Sequence, residues 1–183
     1  MSVKEIIKKV LVMLGKYDII ASMNSGDVLI GEQLSEVEGY VECLNLVRNE
    51  IASEFIPNVK VEKIKTNNGR VDFSNLSGQV IEILSVKDTF GNNLAFDNFD
   101  SYLTTSNLTV EIKYNACPEE LSLESEFNTT IPFRVFVYGI IRESYFAQNL
   151  YEDANVYEQR FKNALQSLAR KKSETVVPRR RWE

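Results

Sequence analysis

The chain has 183 residues, enough for one packed domain with an elaboration or for two small ones, and 44% hydrophobic with 26% charged residues is the composition of a folded protein. It contains no histidine and only two cysteines, Cys43 and Cys117, which excludes histidine-based triads, histidine zinc sites, a four-thiolate metal site and a multi-bridge disulfide framework. A net charge of -5 argues against a protein that coats nucleic acid with its whole surface, because that binding runs on phosphate neutralisation.

The first element is an amphipathic helix. Val3, Ile6, Ile7, Val10, Leu11 and Leu14 recur at helical spacing, with Ser2 as N-cap and Gly15 as the stop. The same segment does not read as a signal peptide: Lys8 and Lys9 interrupt the apolar run, and no small-residue cleavage pattern follows. Residues 16–34 read as irregular. Ser35 and Glu38 then have capping-box spacing and announce a second helix, whose apolar positions Val37, Tyr40, Val41, Leu44, Val47, Ile51 and Phe55 run up to the stop at Pro57.

From Val59 the period shortens to two. Val59–Ile64, Val80–Val86 and Leu108–Tyr114 read as strands, with Asn67-Asn68-Gly69 and Gly91-Asn92-Asn93 as turns, giving one antiparallel sheet of four or five strands. After Pro118 the chain is acidic. Thr129-Thr130-Ile131-Pro132 then opens a helix with Phe133, Phe136, Val137, Ile140 and Ile141 facing inward. A break at Asn149-Leu150 leads into a last helix striped by Ala154, Tyr157, Phe161, Leu165 and Leu168 and ending near Lys172; so short a break makes the two helices antiparallel. The fold class is therefore α+β: a mainly helical bundle of about four helices, an inserted antiparallel sheet and an extended C-terminal arm. The expected segments are 1–57 for the N-terminal helices, 58–117 for the β-rich insertion, 118–172 for the helix pair and 173–183 for the arm. There is no internal repeat, and no run approaches the about 20 apolar residues of a membrane span.

Little here suggests catalysis. The glycines do not form a phosphate-binding loop. Carboxylates cluster at Asp97 and Asp100, at Glu119, Glu120, Glu124 and Glu126, and at Glu152 and Asp153, but they read as a polar loop, a solvated stretch and a helix N-terminus. The sequons at Asn107 and Asn128 have no meaning without secretion. Both cysteines read as reduced thiols with an apolar packing role. The basic residues gather late, as Arg160, Lys162, Arg170, Lys171, Lys172, Arg179, Arg180 and Arg181, opposite in sign to the 119–126 stretch. The tail combines arginine forks, an apolar Trp182 and the stiff Pro178, which together describe a peptide that docks into a partner; contact with nucleic acid through Arg179–Arg181 or with a membrane surface through Trp182 are weaker variants.

Two N-terminal helices, a β-rich insertion, a proline-started aromatic helix, the turn Asn149-Leu150-Tyr151-Glu152-Asp153-Ala154, a helix with Tyr157-Glu158-Gln159-Arg160-Phe161-Lys162-Asn163-Ala164-Leu165, and the ending Pro178-Arg179-Arg180-Arg181-Trp182 follow in that order. This resembles head-tail connector (adaptor) proteins of tailed bacteriophages, most strongly over Ile131 to Glu183, while the insertion from about Val59 to Ala116 is longer than in the smallest members. The resemblance implies a structural virion protein with no enzymatic activity, catalytic residue, metal or cofactor. It implies a ring, commonly of twelve copies, made in the host cytoplasm and placed at the capsid vertex below the portal protein. There the ring joins the capsid to the next tail or neck protein and forms part of the conduit for double-stranded DNA.

In such proteins the C-terminal segment reaches the portal, so the resemblance assigns that contact to Val176, Val177, Pro178, Arg179, Arg180, Arg181 and Trp182. Head-to-tail ring contacts favour opposite charge on opposite flanks, for which Glu119 and Glu120 on one side and Arg160, Lys162 and Arg170 on the other are the candidates. An acidic body that does not grip phosphates would let a genome slide. The alternatives are another neck or tail-completion protein, or a small nucleic-acid-binding module that uses the basic arm.

Overall fold

The computed structural model describes residues 1–26, 28–106 and 108–172, with the side chains of 169–172 outside the description. The chain is mixed helix and sheet, and it divides into two compact units: Met1–Val47 with the chain from Leu121 onward, and Arg48–Glu120. The expected segment ends at residues 57 and 117 both fall inside the second unit. The arm at 173–183 lies outside the described residues.

The first unit is helical. Helix α1 (Val3–Met13) buries Val3, Ile6, Ile7, Val10 and Leu11 of the stripe read from its spacing; Leu14, the sixth position, is the C-cap and only half-buried, and the helix stops before Gly15 at φ +72°. Ser2 occupies the N-cap position without a side-chain cap bond. The start of the helix is held instead by a short antiparallel pairing with the acidic segment. The Met1 nitrogen donates to the Phe127 carbonyl at 2.8 Å, the Phe127 N–H donates to the Met1 carbonyl at 3.0 Å, and the Val3 N–H donates to the Ser125 carbonyl at 3.1 Å.

The stretch read as irregular contains a helix, α2 (Tyr17–Ser25), which buries only Ile19 and Met23 and is stopped by Gly26 in the left-handed region at φ +81°. Two buried positions in nine residues are too few to produce a readable period, and so short a helix is held by packing rather than by propensity. Helix α3 (Glu32–Glu50) begins three residues before the expected cap, so Ser35 lies inside it and its N–H donates to the Gly31 carbonyl at 3.1 Å. Val37, Tyr40, Val41, Leu44 and Val47 are buried as expected.

Helix α4 (Phe133–Ala147) and helix α5 (Tyr151–Lys172) are antiparallel: Phe146 lies against Tyr151 at one end, and the Arg134 Nη2 donates to Ser167 Oγ at 3.3 Å at the other. Asn149, at φ +61°, makes the turn between them. Two expectations at the start of α4 are corrected. Pro132 is the N-cap and not a residue of the first turn, and Phe133 is 45% exposed, its ring covered by Lys9 Nζ at 4.3 Å. Phe136, Val137, Ile140 and Ile141 do face the core.

Near the start of the second unit Ile51–Phe55 form a π-helical turn where a continuous α-helix was expected; Phe55 is 39% exposed and the turn ends before Pro57. Asn115, 2% exposed, holds this turn. Its Nδ2 donates to the Ala52 carbonyl at 2.7 Å, while its Oδ1 accepts the Asn58 N–H at 2.8 Å. The expected strands are present as β1 (Val59–Lys65), β3 (Val80–Lys87) and β6 (Thr109–Ala116), and three more occur: β2 (Arg70–Asp72), β4 (Phe96–Asn98) and β5 (Tyr102–Thr105).

These six form two three-stranded antiparallel sheets, β1-β6-β3 and β2-β5-β4, and not one sheet of four or five strands. Strands of three or four residues are too short to display alternation. Asp97 consequently lies on β4 rather than in a loop. Val71 and Leu103 from the second sheet share one core with Ile83, Val86, Val110, Ile112 and Tyr114 from the first. At its margin Glu62 accepts hydrogen bonds from the Ser77 and Tyr114 hydroxyls; these hold its carboxyl below the usual range, while burial and that same bond push the Tyr114 hydroxyl up.

The Asn67-Asn68-Gly69 turn forms as read, with Asn68 at φ +51° and Gly69 at φ +80°. A Cβ at Gly69 would lie 2.5 Å from the Thr105 carbonyl oxygen, a backbone atom that cannot move aside cheaply. Both Gly69→Ala and Gly69→Asn are therefore expected to destabilise this unit by about 2 kcal/mol in urea unfolding, through the overpacking that any Cβ brings. Equal effects identify the clash, because asparagine tolerates the left-handed region; full tolerance of asparagine would leave only the dihedral.

Candidate functional site

Among the described residues no group of three or more histidine, cysteine, aspartate or glutamate side chains could hold a metal ion, and no helix is long and apolar enough to cross a membrane. The helical unit carries two concavities and a buried charge network.

The network centres on Arg142, which is 4% exposed. Its Nη1 donates to Glu158 Oε2 at 2.7 Å, its Nη2 is bound to Glu143, and its guanidinium lies 4.6 Å from the centre of the Phe161 ring. Lys162 Nζ lies 2.6 Å from the other oxygen of Glu158. Burial works against the charged form of Glu158, but hydrogen bonds from Lys162 and Arg142 outweigh it and hold the carboxyl below its ordinary range. Lys162, a ring-contact candidate from the sequence, is thus engaged within its own helix pair.

A groove of about 460 Å³ runs between α3 and α4 and is lined by Glu36, Gly39, Tyr40, Glu42, Cys43, Leu46, Glu143, Ser144, Phe146, Ala147 and Gln148. Lys16 Nζ lies 3.0 Å from Glu36, and the Tyr40 hydroxyl donates to the same carboxylate at 2.7 Å. Burial, reinforced by that bond, pushes the Tyr40 hydroxyl up, so it stays a neutral donor. Burial together with the Glu143 and Glu42 carboxylates pushes the Cys43 thiol up to about 11, so at neutral pH it is a protonated, unreactive group. Cys117 is also free, its Sγ donating to Asn49 Oδ1 at 3.3 Å.

The groove was not foreseen. Its signal in the sequence is a second stripe on α3, Glu36, Gly39, Cys43 and Leu46, at spacings of three and four beside the buried one.

A smaller cleft of about 290 Å³ lies on the α4–α5 pair, lined by Arg134, Tyr138, Arg160, Asn163, Ala164 and Ser167. Arg160 is exposed and lies 5.0 Å from the Tyr157 ring centre, and the antiparallel pairing adds Arg134, which the sequence reading did not single out. The remaining candidates are dispersed. Glu119 is exposed and lies 3.7 Å from Lys60, while its carbonyl accepts Arg48 Nη1 at 2.5 Å, and Glu120 is exposed. Glu124 lies 3.7 Å from Lys4. Arg170 is on α5 with its side chain outside the description, and Val176–Trp182 lie outside the described residues altogether. No protein-family model matches the sequence, and no curated protein matches it either.

Proposed function

We propose that the chain is a structural virion protein, a ring adaptor below the portal that joins a phage capsid to its tail and lines part of the DNA path. The observation that supports this reading is the way the chain is ordered. Helices from its two ends share one unit, a β unit is inserted between them, and the antiparallel α4–α5 pair leads straight into the basic, tryptophan-bearing segment. In this reading α1, α3, α4 and α5 act as the bundle of about four helices that makes the ring wall. The Arg134–Arg160 cleft of one copy faces the acidic flank of Glu119 and Glu120 of the next, an arrangement that opposite charges favour and salt weakens. Residues 176–182 reach the portal.

The test is co-sedimentation with portal rings. The full chain should pellet with portal, and deletion of Ser173–Glu183 should weaken binding at least about tenfold, as loss of an anchor peptide does. Unchanged binding would remove the segment from the mechanism. Salt-dependent retention on DNA without portal binding would favour a nucleic-acid-binding module instead.

A further inference from the structure

The α3–α4 groove has a defined chemistry. Its lining presents three carboxylates, Glu36, Glu42 and Glu143, and no lysine or arginine. Lys16 and Arg142 partly offset two of them, while Glu42 is exposed. Leu46, 58% exposed, lies in the same lining as Phe146 and Ala147. An occupant that matches this surface brings positive charge together with a large apolar group. Within the sequence that combination occurs at Arg179-Arg180-Arg181-Trp182.

We propose that the groove holds this segment of its own chain. Planar guanidinium forks pair with carboxylates, and a tryptophan ring covers exposed leucine and phenylalanine. Reach and order both support the intrachain contact. The Arg142–Glu158 pair sets the level of Glu143 on α5, and Glu158 lies 14 residues before Lys172, about 21 Å along the helix. Extended chain spans about 23–25 Å from Lys172 to Arg179 and about 30–32 Å to Arg181, so Arg180 and Arg181 reach the level of Glu143 with chain to spare. Phe146 lies against Tyr151, 21 residues or about 32 Å from Lys172, and Trp182 reaches about 33–36 Å. Arginines and then a ring follow along the segment as a carboxylate and then a ring follow along the groove. A tether this short holds the segment beside its own groove at an effective concentration of about 1 mM, far above that of a second copy in dilute solution. This inference goes beyond the adaptor reading and does not rest on it: the segment assigned there to the portal is held here, in the absence of portal, on its own helices.

Trp182 is the single tryptophan of the sequence, so tryptophan emission reports this segment alone. In the full chain without portal, emission should lie at the short wavelengths of a covered ring and stay there on dilution to concentrations at which sedimentation shows single copies. Added salt should move it toward the emission of exposed tryptophan. Glu42→Lys and Leu46→Ser, at exposed positions, should each lower the ratio of docked to free segment about tenfold, and the double variant should emit as an exposed ring, all with unchanged circular dichroism. Emission characteristic of exposed tryptophan at every concentration would overturn the proposal. So would a short-wavelength shift that appears only as larger species form, which marks docking between copies, or one that the double variant leaves unchanged, which marks another surface. Portal binding enters none of these readouts, so failure here and failure of the adaptor reading are separate results.

Discussion

Replacing Arg142 by alanine is expected to lower the unfolding free energy of the helical unit by about 3 kcal/mol at neutral pH, because removing the buried cation leaves two carboxylates charged and only partly solvated. The Arg142 side chain is 5% exposed and stands between Glu143 and Glu158, whose side chains are 26% and 23% exposed. That partial exposure places the loss at the lower end of the range for buried pairs. Arg142→Lys should recover only part of it, since an ammonium lacks the planar fork that serves both carboxylates beside the Phe161 ring.

The effect also depends on pH in a definite direction. The Glu158 carboxyl is held below its unfolded value of 4.5, so it contributes stability above that pH and loses the contribution as the pH falls through the folded value. The deficit of Arg142→Ala relative to the wild type should therefore shrink as urea unfolding is repeated from neutral pH to below the unfolded value. A deficit that stays constant over that range would assign the loss to packing against Phe161 alone.

Gly139→Ala is expected to destabilise the same unit by about 2 kcal/mol, although alanine in an exposed helix interior would stabilise it by about 1 kcal/mol. Gly139 is buried on α4, and a Cβ there would lie 2.7 and 2.8 Å from the two methyl carbons of Val47 and 3.2 Å from the Phe161 ring. Those neighbours are short and packed, so relief requires α3 or α5 to shift. The contact can be isolated by a double-mutant cycle: in Gly139→Ala with Val47→Ala the new methyl group occupies space vacated by valine, and the combined loss should fall short of the sum by at least about 1 kcal/mol in thermal or urea unfolding. Simple additivity would show that the helices already have room at this crossing. This is the one helical glycine whose missing side chain sets the distance between elements; a Cβ at Gly39, in the groove lining, meets nothing within 4 Å.

The elements that could be read in advance are those whose signal is local. Val3, Ile6, Ile7, Val10 and Leu11 recur at the helical period over a whole element, and all five are buried. The Asn68-Gly69 pair demands positive φ at successive residues and receives it. Signals spread over too few residues were not legible: α2 buries two positions, and β2, β4 and β5 are three or four residues long. The Ser35–Glu38 spacing misplaced the start of α3 because the cap pattern occurs by chance inside helices, and at Glu32 no apolar residue competes with it. The π-helical turn at Ile51–Phe55 has no local mark at all; it is fixed by Asn115, 63 residues away from Ala52 in the chain.

By itself the sequence determined the mixed α+β class of the fold and the absence of histidine chemistry. Periodicity, turn residues and composition are properties of neighbouring residues, and backbone geometry translates them directly into helices, strands and the absence of histidine chemistry. The tertiary structure alone decided which elements share a unit. It joined the acidic segment at Ser125–Phe127 to the first residues of the chain, enclosed Arg142 between two carboxylates, and set a second stripe of α3 against the end of α4 to make an acidic groove. Each of these joins residues far apart in sequence, and their meeting depends on how side-chain volumes pack across elements, which no local pattern encodes.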